Sequence, residues 1–490
     1  MIIVIAIVLV VLAWFYIAPR RRGKLPPGPY PFPIIGNILQ LGRNPHQSLS
    51  DLSKTYGPLI SLQLGSVYTV VASSPEFAKL LLQENDQVFS SRTIPAAAEA
   101  HGHDKFSSGL IPVGERWRKG RKLFREHLFS TRRLEAGEGL RREKLRKLRD
   151  YVQQCGVRGR AVNLGEAAFV TLLNLLTVTL FSVDLADYES DGAQELRETI
   201  EGVTNILGAP NVADFFPFLK RFDPQGIKRK SEFYVGKLLA IIGDLIDQRL
   251  ESRTKNDDLL GTLLDLMEGS DDYDLSRKDI QHLLLDFFLG GADTTQSTVE
   301  WVMTELVVNP EKMANAKNEV RSVIGKHKQV EESDISRLPY LQAVIKETLR
   351  IHPPGPLLVP RRADCEVQIS GYTIPQNAQI LINVWAIGRD SSIWQNPNLF
   401  EPERFLHRKI DFKGQDFEFL PFGSGRRMCP GLPLADRMLH LMVASLIHNF
   451  DWKLEAGITP QEVDTTEKFG MALHKAVPLM VIPVKVKMLA

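Results

Sequence analysis

Phe422-Gly423-Ser424-Gly425-Arg426-Arg427-Met428-Cys429-Pro430-Gly431 decides how the whole of this chain is read. It sets a cysteine inside a glycine-rich loop, two residues after an arginine and directly before Pro-Gly. Glycines at 423, 425 and 431 let the backbone turn tightly and aim N–H groups at the sulfur. Leu432 to Leu446, mostly apolar at helical spacing, leads away from the loop. The inward donors, the start of that helix and the charge of Arg427 all favour thiolate over thiol. A lone cysteine is more often an inert buried thiol. One held among donors at a helix start suits another task, that of the axial ligand that pushes electron density onto a haem iron and favours O–O cleavage.

Composition narrows the class. The 490 residues hold 60 Lys and Arg against 58 Asp and Glu, a net charge of +2 that gives no case for nucleic acid as a partner. Three cysteines, Cys155, Cys365 and Cys429, are a sparse and odd set that argues against a disulfide framework and for a reducing compartment. No repeat or low-complexity linker divides the chain, so residues 34–490 read as one large catalytic domain behind an anchor. Met1 to Ala18 is continuously apolar, with Trp14, Phe15 and Tyr16 near its end, and Arg20-Arg21-Arg22 and Lys24 follow. Residues 1–18 are just long enough for a single membrane-spanning helix. Basic residues follow the apolar run and none precedes it, as in a signal anchor rather than a cleaved signal peptide. The positive-inside bias then leaves the rest of the chain in the cytosol. Residues 19–33 are basic and then proline-rich. Leu25-Pro26-Pro27-Gly28-Pro29-Tyr30-Pro31-Phe32-Pro33 reads as a stiff strut in preference to a ligand for a polyproline-reading domain.

Helical periodicity dominates the remainder, so the fold class is mainly α with small β-sheets. Leu59 to Leu64 and Val67 to Ala72 alternate around Gly65-Ser66 as a β-hairpin, and Ser74-Pro75-Glu76 opens a helix. Arg92 to Gly114 shows no period and reads as a long loop of the kind that lines a site. Trp117 to Phe129 is a basic helix on which Trp117 and Arg121 share one face and Arg118, Lys122 and Arg125 another. Leu134 to Leu250 is helical but for breaks at Gly208-Ala209-Pro210-Asn211 and at Phe215-Phe216-Pro217-Phe218. The second break is either core packing or, the reading slightly preferred, a lipid-facing rim at a substrate entrance, and Lys255 to Ser276 reads as a surface connection.

A long helix from about Asp279 through Val307 contains Gly290-Gly291-Ala292-Asp293-Thr294-Thr295. Each glycine costs roughly 1 kcal/mol there against alanine. Close helix packing is one reason to keep them; a local opening against which a small ligand lies is another. An acid and a hydroxyl beside such an opening can carry protons. Glu347 and Arg350, three apart on a further helix, are followed by Pro402-Glu403-Arg404-Phe405. Pro353 to Pro360 and Arg361 form a proline-ruled loop, and Lys468 to Ala472 a turn between strands.

Taken in order, these elements resemble the cytochrome P450 monooxygenases over nearly the whole chain. The resemblance is carried by Pro-Pro-Gly-Pro, Trp-x-x-x-Arg, the glycine-pair helix, Glu-x-x-Arg, Pro-Glu-Arg-Phe and Phe-x-x-Gly-x-Arg-x-Cys-x-Gly. Ile351-His352-Pro353-Pro354, Trp385-Ala386-Ile387-Gly388-Arg389-Asp390 and Phe450-Asp451-Trp452-Lys453-Leu454 resemble the plant microsomal branch, and within it the terpenoid oxidases. The resemblance implies the cytochrome P450 fold and haem b as cofactor, with O2 as oxidant. It implies NADPH used indirectly, through NADPH–cytochrome P450 reductase, and a small apolar mono- or diterpenoid substrate that is hydroxylated or oxidised. It places the enzyme in the endoplasmic reticulum membrane, single-pass and against membrane lipid.

Residue by residue, Cys429 is the expected iron ligand within a haem-binding loop that includes Phe422 and Arg427. Trp117, Arg121 and Arg361 are the expected contacts of the haem propionates. Asp293 is expected to feed protons and Thr294 to hydrogen-bond the oxygen. Glu347, Arg350 and Arg404 are expected to form a buried charge network behind the haem that serves folding and cofactor retention. Pocket candidates are Ile94, Phe215, Leu289, Ala292, Leu357, Val359 and Met471. The face of Arg118, Lys122 and Arg125 is read as a docking patch for an acidic electron donor in preference to a plain solvated face. A reductase-independent haem-thiolate isomerase or lyase is one rival, and it has no need of Asp293-Thr294. A non-catalytic membrane haem protein is the other, and it has no need of the oxygen helix or pocket loops.

Overall fold

The computed structural model describes residues 25–188, 191–269, 273–325 and 328–485. The anchor expected at residues 1–18, and the basic residues up to Lys24, lie outside the described residues. Among the described residues one helix, Leu164–Phe181, is long and apolar enough to cross a membrane, but 83% of it is buried inside the protein. A helix that is apolar all round and covered on every side is a core helix.

The core is built of helices. Leu164–Phe181, Arg277–Gly291, Asp293–Val308, Pro339–Ile351 and Leu432–Asn449 contribute to one large apolar cluster. Strands are few and short. The largest sheet has five, in the order Leu59–Leu64, Val67–Ala72, Gln379–Ile382, Arg361–Arg362, Ser91–Arg92. The expected hairpin forms with Leu64 opposite Val67, and Ser74 caps the next helix by accepting from the Phe77 N–H at 3.4 Å.

Three stretches differ from expectation. The proline-rich run does not stand off as a strut. Ser61 N donates to Pro27 O at 2.8 Å and Ser61 Oγ to Pro26 O at 2.6 Å, so the run is laid along the hairpin. Proline lacks a donor but keeps its carbonyl, which is how such a run can still flank an edge strand. Within Arg92–Gly114, residues Ala96–Lys105 form 3-10 turns broken at His101 and Gly102, and Ala96, Ala97, Ala98 and Ala100 are buried. Lys255 to Ser276 is not all surface: Leu259–Gly269 is a helix that buries Leu259, Leu260, Leu263 and Leu264 at helical spacing.

Candidate active site

Two glycines decide the shape of the cysteine loop. Gly425 has φ +70°, and a Cβ there would lie 2.1 Å from the Leu82 carbonyl oxygen. Gly423 also has φ +70°, so side chains are excluded at both places by backbone alone. Cys429 N donates to Phe422 O at 3.0 Å and Ser424 Oγ to Gly414 O at 2.6 Å, which closes the loop. The Phe422 ring meets the Phe412 ring edge-on at 5.4 Å. The helix Leu432–Asn449 starts directly after the loop.

Cys429 is solvent-accessible, yet protein surrounds it closely enough for burial to be the main influence on its thiol. The side chain is thus reachable from outside while packed among protein atoms. Burial raises the thiol pKa above its ordinary value. The Gly431 N–H, the Arg121 charge and the Leu432 N–H pull it down without cancelling that rise. The expectation that Arg427 favours the thiolate is not met. Its guanidinium is committed to the carbonyls of Ser90 (2.8 Å), Ser108 (3.2 Å) and Ile111, and lies 5.1 Å over the Trp117 ring. Arg121 takes that part, its Nη2 donating to Met428 O at 2.9 Å, one residue before the cysteine. A thiol that burial keeps neutral becomes an anion once a metal cation sits on it.

Beside the sulfur stands a cluster of positive charge that Asp86 and Asp364 offset only in part. Arg92, Arg361 and Arg427 are buried and Arg121 is half-buried. Arg92 and Arg361 face each other directly across the two strands that end the five-stranded sheet, an arrangement that like charges disfavour. Among the described residues none of the four forms an ion pair. Burial lowers all four pKa values, and like charge lowers three further: Arg361 to about 10 with help from Arg427, Arg427 to about 10 with help from Arg121, and Arg92 under all three. Trp117 Nε1 is buried with no hydrogen-bond partner, and its ring lies between Arg121 (5.8 Å) and Arg427 (5.1 Å). Uncompensated buried charge and an orphaned donor are each costly. A ligand bearing two carboxylates and a metal cation satisfies both this cluster and the thiol, and haem is such a ligand.

The long helix expected across the site is two helices. Ser276 and Asp279 form a capping box that starts Arg277–Gly291; the helix breaks at Ala292 and resumes as Asp293–Val308. The two glycines divide the two reasons for keeping them. A Cβ on Gly291 would lie 2.8 Å from Leu176 Cδ1, so that glycine serves helix packing. Gly290, the last residue but one of the first helix, has nothing within 4 Å and is exposed, so it faces open space. Thr294 Oγ1 donates to Gly290 O at 2.9 Å, taking up a carbonyl at the break. Asp293 is buried and its carboxylate accepts from His474 Nε2 at 3.3 Å.

Glu347, Arg350 and Arg404 are brought together. Arg350 holds Glu347 with two bonds, Nε to Oε2 at 2.7 Å and Nη2 to Oε1 at 2.8 Å, and Arg404 Nε reaches Glu347 Oε1 at 2.9 Å. Of the pocket candidates, Leu289 and Ala292 sit within the main core, and Gly290 between them has the open face. Leu357 and Phe215 pack on the hairpin cluster, and Ile94 and Met471 are half-buried. Val359 is 52% exposed. A Cβ on Gly423 would touch Leu358 Cδ1 at 3.6 Å, so the proline-ruled loop abuts the cysteine loop. Sequence reasoning missed Arg92 and His474. Each sits on a two-residue strand, too short to show a period.

A family model described as Cytochrome P450 matches residues 26–481, and the chain belongs to that family. Its cofactor is haem, and its electrons come from a reductase partner. The chain is 54% identical to a ferruginol synthase from Isodon rubescens over 98% of both chains. It is 51% identical to a sugiol synthase from Salvia miltiorrhiza, over 96% of this chain and 97% of that one. It is 52% identical to a carnosic acid synthase from Rosmarinus officinalis, over 95% and 94% respectively.

Proposed function

We propose that this chain hydroxylates or oxidises an apolar mono- or diterpenoid, using O2 and electrons passed from NADPH by NADPH–cytochrome P450 reductase. The observation that carries this is the juxtaposition of the accessible Cys429 sulfur with Arg92, Arg121, Arg361 and Arg427, none of which forms an ion pair among the described residues. The names of the three relatives support the substrate class. Haem, when bound, supplies the activation of dioxygen and the insertion of one of its atoms into a C–H bond. Cys429 Sγ holds the iron, while Trp117 Nε1, Arg121 and Arg361 orient the propionates, joined by Arg92. Phe422 and Arg427 shape the loop. Asp293 feeds protons at the opening beside Gly290, where the Thr294 hydroxyl is placed to hydrogen-bond the oxygen. Ile94, Phe215, Leu289, Ala292, Leu357, Val359 and Met471 fit the substrate by shape, which suits an apolar ligand with few polar handles. Membranes containing this chain and a plant reductase, given a panel of mono- and diterpenes, are expected to form an NADPH-dependent oxidised product. Product without NADPH, or no product from any terpene, refutes the reading.

Residues 1–18 then anchor the catalytic domain on the cytosolic side of the endoplasmic reticulum. Its apolar rim supports contact with lipid. Ile34 (68% exposed), Leu39 (73%), Phe218 (70%) and Phe222 (73%) lie in two segments whose neighbouring residues Ile35 and Phe215 touch one hairpin turn. Gly65 N donates there to Ile35 O at 3.2 Å and Ser66 N to Phe215 O at 2.8 Å. Exposed apolar groups gathered in this way mark an interaction site. Arg118, Lys122 and Arg125 are exposed and suit an acidic electron donor. Reversing these three charges should slow reduction by the reductase and flatten its salt dependence, with membrane attachment unchanged. Phe218→Ser with Phe222→Ser should do the opposite, weakening vesicle binding of the chain lacking residues 1–18 and sparing reduction. The same response to both variants contradicts the division of surfaces.

A further inference from the structure

Asp293 has one side-chain hydrogen-bond partner among the described residues, and it is not on its own helix. His474 Nε2 donates to Asp293 Oδ2 over 3.3 Å from the strand His474–Lys475, which pairs with Glu467–Lys468. That strand is clamped to the helix Asp293 opens. The Leu473 carbonyl accepts from Ser297 Oγ at 2.7 Å and from Trp301 Nε1 at 3.1 Å, and Leu473 N donates to Pro354 O at 2.8 Å. The imidazole is therefore held against the carboxylate by its own backbone. Within the pair the Asp293 side chain is 5% exposed and that of His474 26%, so the histidine is the more accessible end.

We propose that His474 reloads Asp293 with protons during turnover, as a positioning and relay residue that acts through the carboxylate. In each cycle the Nε2 proton moves to Asp293 Oδ2, leaving a neutral imidazole beside a neutral carboxylic acid. When Asp293 has given its proton away, the imidazole takes another from water and the ion pair is restored. One proton enters for each that leaves, and no electron moves. The inference rests on the proposed role of Asp293 as proton donor.

The charges around the imidazole suit this cycle. Burial pulls its pKa down; Asp293 and Glu300, on the facing helix, raise it, and Lys468, directly across the strand pair, lowers it. The outcome lies above the ordinary imidazole value. The imidazolium is therefore present below that raised pKa and is lost as pH rises through it. Coupling of NADPH use to product should decline over the same alkaline interval.

The test uses the full chain with reductase and the terpenoid oxidised fastest in the panel above, comparing wild type, His474→Gln, Asp293→Asn and the double variant. His474→Gln should bind haem and substrate normally. It should release about tenfold more hydrogen peroxide per product, a smaller loss than a directly acting acid or base gives, and its coupling should no longer vary with pH. The double variant should be no worse than Asp293→Asn. In the reduced, carbon monoxide-bound protein, ring-13C histidine spectra should show the His474 pKa falling when Asp293 becomes Asn. Normal coupling in His474→Gln beside an uncoupled Asp293→Asn overturns this inference alone, as does a His474 titration that ignores Asp293→Asn. Normal coupling in Asp293→Asn overturns the role of Asp293 itself.

Discussion

Arg350→Ala is expected to yield a chain destabilised by about 3–5 kcal/mol that retains little haem, because it leaves the Glu347 carboxylate buried and half-paired. Neither the Glu347 nor the Arg350 side chain has any exposure. Arg350 also donates to the carbonyls of Gly388, Pro397 (2.7 Å) and Leu399 (3.3 Å), and Glu347 accepts from the Glu401 N–H at 2.9 Å. The pair thus ties the helix Pro339–Ile351 to the segment that leads towards the cysteine loop. With native stability of about 5–15 kcal/mol, the loss removes a large share of what holds the fold. Lysine is no substitute, since it cannot form the two-pronged contact. Urea midpoints and the ratio of haem to protein measure the effect. An Arg350→Ala chain with wild-type midpoint and full haem shows that the network does neither job.

How much of this was readable beforehand depended on how local the signal was. The cysteine loop, Glu347 with Arg350, and Asp293-Thr294 each lie within a few residues, so spacing alone displayed them. The hairpin at Gly65-Ser66 was visible for the same reason. His474 was not, because its partner Asp293 is 181 positions away and only the packed strand unites them. Arg92 pairs with Arg361 across two strands of two residues, and no periodicity survives at that length. Arg427 does not act on the thiol, for a related reason. Closeness in sequence to Cys429 said nothing of the three carbonyls that claim its guanidinium. The proline run misled because its composition describes local stiffness, whereas its carbonyls find donors on Ser61.

Cys429→Ser is expected to abolish NADPH-dependent product while sparing the fold. The loop is closed by backbone bonds, Cys429 N to Phe422 O among them, and these survive the substitution. Serine keeps the shape but offers a hydroxyl that ionises far less readily than a thiol, so the strongly donating anionic ligand is lost. The arginine cluster and Trp117, the proposed propionate contacts, are untouched, so a haem-containing but inactive protein is the expected product. Wild-type turnover in Cys429→Ser removes the sulfur from the chemistry.

The claim beneath all of this is that one side chain, Cys429, supplies a thiolate to haem iron. It is tested most directly by the absorption spectrum of the reduced, carbon monoxide-bound protein, recorded for wild type and Cys429→Ser at equal haem content. The expected result is the thiolate-type band in wild type and its absence in the serine variant. A thiolate-type band that persists in Cys429→Ser contradicts the assignment.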